Sequence, residues 1–269
     1  MLPFLQTAYL FALGSMIGWV LEFFYRKFFD PVNVERKWLN PGFLTGPYLP
    51  LYGFALLLLY WLRRLEKFIP IDNNYGRKAV LFLIMAAFIT ALEYFTGLIF
   101  IVKLKIMLWD YTQFWGNIQG IICPMYSFFW LVLSFGYCFF LDEPITNTVE
   151  VLMDNLQFTF FVGLFYGVFF IDLGISINNM VNISEFAKEH NIIVKIDELR
   201  AQIEAFREKT KGGAAHFFVP LRFSDTLHNS LERYREFREN ISLGNIRENL
   251  KVENIKGNIK GNIDKIKRK

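Results

Sequence analysis

Trp38-Leu39-Asn40-Pro41-Gly42-Phe43-Leu44-Thr45-Gly46-Pro47-Tyr48 is a polar and aromatic knot between two hydrophobic stretches. A second version follows as Trp115-Gly116-Asn117-Ile118-Gln119-Gly120-Ile121-Ile122-Cys123-Pro124-Met125-Tyr126. In both, Trp stands two residues before Asn, a Gly follows Asn by two or three, and a Pro precedes Tyr or Met-Tyr where the next apolar run begins. Asn-Pro-Gly is a turn signature that cannot sit inside a helix. Each knot also follows an apolar helix carrying one glutamate: Glu22 lies 18 residues before Asn40, and Glu93 lies 24 before Asn117. Two helices return a chain to the side it left, so the two units should run the same way through a membrane, related by an axis along its normal. Glu22 and Glu93 then occupy equivalent helices.

Working outward, composition sets the class. The 269 residues are 54% hydrophobic and 18% aromatic, with 31 Phe, which is more apolar surface than a soluble domain of this length buries. Five stretches could each cross a hydrocarbon core of about 30 Å: Phe4 to Phe29, Pro47 to Leu62, Ala79 to Val102, Ile121 to Leu141 and Leu156 to Ile175. The second is the shortest and has two prolines at its start. The expected fold is an all-α integral membrane protein of about five transmembrane helices. Residues 1–176 form the polytopic part, with an internal two-helix repeat over about 4–62 and 79–141 and a fifth helix at 156–175. No basic n-region or small-residue cleavage site marks the first apolar run as a signal peptide, so it is expected to remain as a helix. Cys123 and Cys138 lie on one expected helix, about 22 Å apart along it, so they cannot pair there.

The ionisable residues inside the apolar runs are the candidate site. Trp19, Glu22, Tyr25 and Arg26 fall close together on the first helix, which puts the carboxylate one turn from a guanidinium. Two readings stand: an interfacial Glu22–Arg26 pair with both side chains reaching for water, or a carboxylate on a pathway, because a deep acid costs about 2.5 to 3.5 kcal/mol unless it is paired or wet. Glu93 lies near the middle of its helix, with Thr90 and Gly97 on the same face. It requires protonation, a hydrogen bond from the Asn117 region, or a cation. The knots themselves read either as ordinary loops with an aromatic belt, or as segments that re-enter the membrane and pack on each other. Their recurrence favours the second. Trp109-Asp110-Tyr111 is an aromatic-acidic cluster suited to a headgroup boundary. In the last apolar run, Gly163 and Gly167 have the spacing that permits close helix contact, and Asp172 reads as an interface residue.

Beyond Ser176 the composition changes, and residues 177–269 read as a soluble, basic, helical tail with 18 Lys and Arg against 13 Asp and Glu. Ile192, Ile196, Leu199, Ile203 and Phe206 make one amphipathic helix, stopped at Gly212-Gly213. A second runs from an N-cap at Ser224 through Leu227, Leu231, Tyr234 and Phe237. The basic end could meet anionic headgroups. His190, His216 and His228 lack metal-ligand spacing. Five spans put the termini on opposite sides. The 142–154 loop has no Lys or Arg, so it is expected outside and the tail in the cytoplasm.

Gly18-Trp19-Val20-Leu21-Glu22 with Tyr25-Arg26, then Asn40 to Phe54, Leu92-Glu93-Tyr94-Phe95-Thr96, Trp109-Asp110-Tyr111 and Asn117 to Cys123 arrive in an order that resembles the bacterial ABC-transporter permease family labelled type IV. The resemblance covers about residues 14 to 141 and not the tail. It departs where the family has Asn-Arg-Gly-Phe and this chain has Pro41, and where the family has Asn-x-x-Gly-Arg and this chain has Ile121. Both changes remove an arginine. The resemblance implies a cell-membrane permease component in which Glu22, Glu93, Asn40 and Asn117 line a site between the repeats, with Arg26, Trp109, Asp110 and Tyr111 nearby. The sequence contains no Gly-x-x-x-x-Gly-Lys-Ser/Thr loop, so nucleotide hydrolysis would fall to a separate ABC ATPase subunit. The lipid bilayer and a second copy of the chain are the other expected partners, and no nucleic acid or cofactor is expected. Two other readings stay open. One is a membrane-embedded enzyme using paired carboxylates with Trp109, Asp110 and Tyr111 on a lipid-linked substrate. The other is a non-transporting scaffold that recruits partners through its tail.

Overall fold

In a computed structural model, the structure describes residues 2–30, 33, 36, 38–201, 203 and 229–238. Helix α1 (Leu2–Phe28) leads through the first knot to α2 (Pro50–Arg64), and a single 3₁₀ turn leads on to α3 (Asn74–Ile99). A π turn at Phe100–Leu104 extends α3. The two-residue strand β1 (Ile106–Met107) and the second knot follow. Helix α4 (Pro124–Gly136) passes through another π turn into α5 (Asp142–Asp154), and α6 (Leu156–Glu189) ends before β2 (Val194–Lys195). The described residues are thus mostly helical, with β1 and β2 pairing in parallel, Ile106 opposite Val194 and Met107 opposite Lys195.

Among the described residues, four helical runs are long and apolar enough to cross a membrane: Pro3–Phe28, Asn74–Leu104, Pro124–Asp154 and Gln157–Glu189. The fifth expected span, α2, has 15 residues and about 22 Å of length, short of the hydrocarbon thickness. The reason lies in the preceding connection. From the end of α1 the chain runs back along that helix. Trp38 stacks on Phe23 at 4.6 Å, Asn40 accepts a bond from Trp19 at 2.6 Å, and the Leu49 N–H reaches the Ser15 carbonyl at 2.9 Å. That is 13 residues below Phe28, roughly 20 Å of helix, and Pro50 starts α2 at that level. The second connection behaves likewise. Trp109 and Ile121 lie against Gly97, and Tyr111 reaches Glu93, well inside α3.

Helices α1 and α2 are antiparallel, with Glu22 beside Tyr52, Ser15 beside Gly53 and Gln6 bonded to Tyr60. The crossing is close because Gly18 leaves room for the Tyr52 ring: a Cβ there would sit 2.1 Å from Tyr52 Cβ. Helices α3 and α4 form the second antiparallel hairpin through Glu93–Trp130 and Met85–Cys138 contacts. Helix α6 runs parallel to α1, with Tyr166 bonded to the Ala8 carbonyl and Phe169 edge-on to Phe11. A core of Leu10, Leu59, Leu81, Met85, Ile89, Trp130 and Tyr137 joins the two hairpins. The five directions leave both connections and the end of α6 at one face, and the N-terminus, the 65–73 linker and α5 at the other.

Several boundaries differ from the sequence expectation. The last apolar helix continues to Glu189 rather than ending near 175. Its polar continuation is buried on one side, by Met180, Ile183, Phe186 and Ala187 packing against residues 192–203. The composition change at Ser176 therefore falls inside a helix. Residues 142–154, read as a loop, are helical, and their acidity is compensated: Arg63 of α2 lies 3.4 Å from Asp142. Gly163 and Gly167 face open space instead of a helix of the same chain. Cys123 and Cys138 are both free thiols. In the tail, Ile196, Leu199, Ile203, Leu231 and Tyr234 are buried as their spacing implies, while Phe237 is exposed. Phe206, Ser224, Leu227 and the basic end lie outside the described residues.

Candidate functional site

Glu22 and Glu93 each stand on the first helix of a hairpin and are each gripped by an aromatic donor from the second. The Tyr52 hydroxyl donates to Glu22 Oε2 at 2.9 Å, and the Trp130 indole N–H donates to Glu93 Oε2 at 2.9 Å. Tyr52 is the fourth residue after Tyr48, and Trp130 the fourth after Tyr126, so one helical turn past each knot places each ring on the inward face. The two rings meet, with centroids 5.4 Å apart. Glu22, Tyr52, Trp130 and Glu93 thereby form a continuous line from one hairpin to the other.

The remaining charge is distributed unequally. Arg26 Nε lies 3.1 Å from Glu22 Oε1, and its Nη1 lies 2.9 Å from Asp197 Oδ1, so one buried guanidinium serves two carboxylates. Glu93 is 3% exposed and takes its second bond from the Tyr111 hydroxyl at 3.0 Å. Among the described residues it has no ion pair. Tyr111 stacks flat on Tyr126 at 4.2 Å, and the Tyr126 and Tyr25 hydroxyls lie 2.8 Å apart. A string of hydroxyls and rings therefore leads from Glu93 back to α1.

Asn40 and Asn117 do not touch the glutamates. Each organises its own connection. Asn40 accepts from the Trp19 indole and donates to the Leu44 and Thr45 carbonyls. Asn117 accepts from the Gly120 N–H at 3.0 Å and donates to the Thr112 and Phe114 carbonyls. Beside them Gly42 and Gly120 adopt φ of +75° and +70°, the left-handed region that suits glycine. Trp109 donates to the Ile121 carbonyl at 2.8 Å and packs over Gly97. Asp110 faces away from Glu93, with its Oδ2 2.5 Å from Lys195 Nζ. Burial alone would raise the Asp110 carboxyl. Hydrogen bonds from Lys195 and Thr112 outweigh that and hold it below its ordinary value. Pro41 and Ile121, which stand where the family resemblance has arginine, are both buried.

Three participants escaped the sequence reading. Asp172 of α6 accepts from the Thr45 N–H, the Gly46 N–H at 2.8 Å, the Tyr48 hydroxyl at 2.7 Å and the Ser176 hydroxyl at 3.2 Å. It satisfies backbone donors that the broken helix leaves at depth, where each would otherwise be costly. Tyr52 and Trp130 were hidden among many aromatics, although their equal distance from the post-proline tyrosines was a readable signal.

A comparison with family models matches residues 9–177 to one family, described as "Putative ABC-transporter type IV". No curated protein and no solved structure gives a match.

Proposed function

This chain belongs to that ABC-transporter type IV family, and on that premise we propose that it is the membrane component of a transporter whose ATPase is a separate chain. The Glu22–Tyr52–Trp130–Glu93 line is the seat of its substrate-linked change. The observation that carries the reading is the contact of Tyr52 with Trp130: it joins the half-buried, ion-paired Glu22 to the buried Glu93, which is held by neutral donors, across the boundary between the hairpins. Intramembrane acids facing a helix-bundle interior commonly mark pathways. A change of charge or ligand at Glu93 would alter its bonds to both Trp130 and Tyr111, and so would be felt by α4 and by the second connection together. The internal repeat is part of the same reading, supported by the matched order of glutamate, knot, tyrosine and inward aromatic in the two hairpins. In this reading the face that holds both connections and the end of α6 is cytoplasmic, because residues 177–269 carry 18 Lys and Arg against 13 Asp and Glu.

The test is extraction of the tagged protein in mild detergent, with mass spectrometry of what co-purifies. Stoichiometric recovery of an ABC ATPase, with ATP turnover in the reconstituted pair altered by Glu93→Gln and Glu22→Gln, is the expected result. Repeated isolation without an ATPase overturns the reading. Labelling of single cysteines placed in the 65–73 linker and in 190–193 by an impermeant reagent, in intact cells and in inverted vesicles, tests the orientation.

A further inference from the structure

Two connections that belong to different hairpins are held by one body. The last turns of α6 are joined to residues 192–203 and 229–238 by an apolar core. Met180, Ile183, Phe186 and Ala187 pack with Val194, Ile196, Leu199, Ile203, Leu231 and Tyr234, all buried. The Tyr234 hydroxyl lies 3.1 Å from Glu198 Oε2 and accepts the Lys195 N–H at 3.1 Å, which locks the two tail pieces together. These residues form a cap packed on the end of α6.

The body grips the first connection at two points and the end of α1, from which that connection leaves, at a third. Asp172 takes the Thr45 and Gly46 N–H groups, Arg200 Nη1 donates to the Asn40 carbonyl at 2.6 Å, and Asp197 receives Arg26 at the end of α1. The second connection is gripped by β2 pairing with β1, by Lys195 on Asp110, and by Ile106, fully buried in the cap core. The two kinds of contact differ in strength. The core is dry, whereas the side chains of Asp197, Lys195 and Asp110 keep 40%, 27% and 22% of their exposure, so each ion pair is individually weak and screened by salt.

We propose that α6 and the cap form a single clamp that couples the two connections, with the Arg26–Asp197 and Lys195–Asp110 pairs as the part that opens. Arg26 carries the coupling inward, because the guanidinium that ties the cap to α1 also neutralises Glu22. Release of Asp197 leaves Arg26 to Glu22 alone. Release of Asp110 frees the segment that carries Tyr111 to Glu93. The clamp goes beyond the transport reading and does not rest on it, since its opening is a backbone motion that needs neither substrate nor ATPase to be seen.

Hydrogen–deuterium exchange of the full chain in lipid nanodiscs tests the coupling. Asp110→Asn touches only the second connection, yet it is expected to speed exchange at 38–49 as well as at 105–123, by about two- to fivefold, the factor an ordinary ion pair corresponds to. Asp197→Asn is expected to do the reverse, speeding 105–123 as well as 38–49. If each variant speeds only the connection it touches, the contacts are independent staples and the clamp is overturned. A second measurement keeps the ion pairs intact. Ile106→Cys with Val194→Cys, at paired positions of β1 and β2, is oxidised in a background carrying Cys123→Ala and Cys138→Ala. The crosslink is expected to slow exchange at 38–49, and unchanged exchange there also overturns the proposal.

Discussion

The two hairpins are built from the same ingredients in the same order and differ in how they treat their glutamate. In the first, the residue one turn after Glu22 is Arg26, and the connection leaves its guanidinium to Glu22 and Asp197, bonding through Asn33 to the Arg26 carbonyl at 2.8 Å and through Asn40 to Trp19. In the second, the residue one turn after Glu93 is Gly97, and the space where a cation would stand is filled by Ile121 and Trp109. One hairpin spends that position on charge compensation and the other on close approach of the connection. The consequence is two carboxylates held differently: the half-buried Glu22 anchored by a cation that the cap also uses, the buried Glu93 held by the N–H of Trp130 and the O–H of Tyr111. A site meant to respond to a cation or a proton would gain from this inequality, because the two acids answer differently to the same ligand.

The comparison breaks most visibly at Arg26. Arg26→Met removes a buried guanidinium shared by Glu22 and Asp197, and because those carboxylates are 23% and 40% exposed the expected loss is about 2 to 3 kcal/mol, below that of a fully buried ionic cluster. Thermal unfolding in detergent would read it, and a loss near zero would mean that Arg26 does not anchor Glu22. The two crossing glycines come next. Gly18→Ala drives a Cβ to 2.1 Å from Tyr52 Cβ, close to the backbone of α2, and is expected to cost about 2 to 3 kcal/mol. Gly97→Ala meets the Cγ2 methyl of Ile121 at 2.4 Å, a side chain of the connection rather than the body of a neighbouring helix, and is expected to cost about 1 to 2 kcal/mol as that buried side chain shifts. Equal losses in unfolding experiments would show that the second connection is as rigid as α2.

Glu93→Gln should be milder, about 1 kcal/mol, since the amide oxygen keeps the Trp130 bond and the Tyr111 hydroxyl can turn to accept from the amide nitrogen. A stability loss as large as that of Arg26→Met would mean that Glu93 is ion-paired in the folded protein. The smallest effect concerns Asp110. Its carboxyl lies below its ordinary value of 3.8 when folded, so the folded state binds that proton less readily than the unfolded state. The contribution is complete above about pH 5 and lost as the pH falls below the ordinary value. It should amount to less than about 1 kcal/mol at this exposure. Comparing the wild type with Asp110→Asn, the difference in unfolding free energy should be flat between about pH 5 and 8 and shrink on the acid side. A difference that grew toward acid would reverse the assignment of the charged pair.

Much of this was legible in the chain. The duplicated Trp-x-Asn knot with its prolines announced breaks at depth, and the lone acids Glu22 and Glu93 announced positions that must be compensated. The spacing of Glu22 and Arg26 stated one compensation outright, because residues four apart on a helix meet whatever the rest of the fold does. The burial of Ile196, Leu199 and Ile203 was equally plain from helical periodicity. The length of α2 was read nearly correctly, as Pro47 to Leu62 against the observed Pro50–Arg64, but at 15 residues it is too short to count as a fifth span. The 156–175 boundary was misjudged because a helix buried by protein on one side and solvated on the other carries polar residues without ending. Asp172 was read only as an interface residue, because the N–H groups of Thr45 and Gly46 and the Tyr48 hydroxyl that it accepts from lie more than 120 positions away and nothing local marks a carboxylate that will cap a distant turn.

By itself, then, the sequence determined what short-range physics dictates: helices where apolar residues run on, breaks at Asn-Pro-Gly and at Pro124, membrane burial of a chain this rich in Phe, and the pairing of Glu22 with Arg26. Only the tertiary structure decided the long-range partners. The meeting of Tyr52 with Trp130, the grip of Asp172 on the first connection, and the bridge from Lys195 and Asp197 of the cap to both connections all join residues far apart in the chain. Their approach is set by how helices pack in three dimensions, and no periodicity along the chain encodes it.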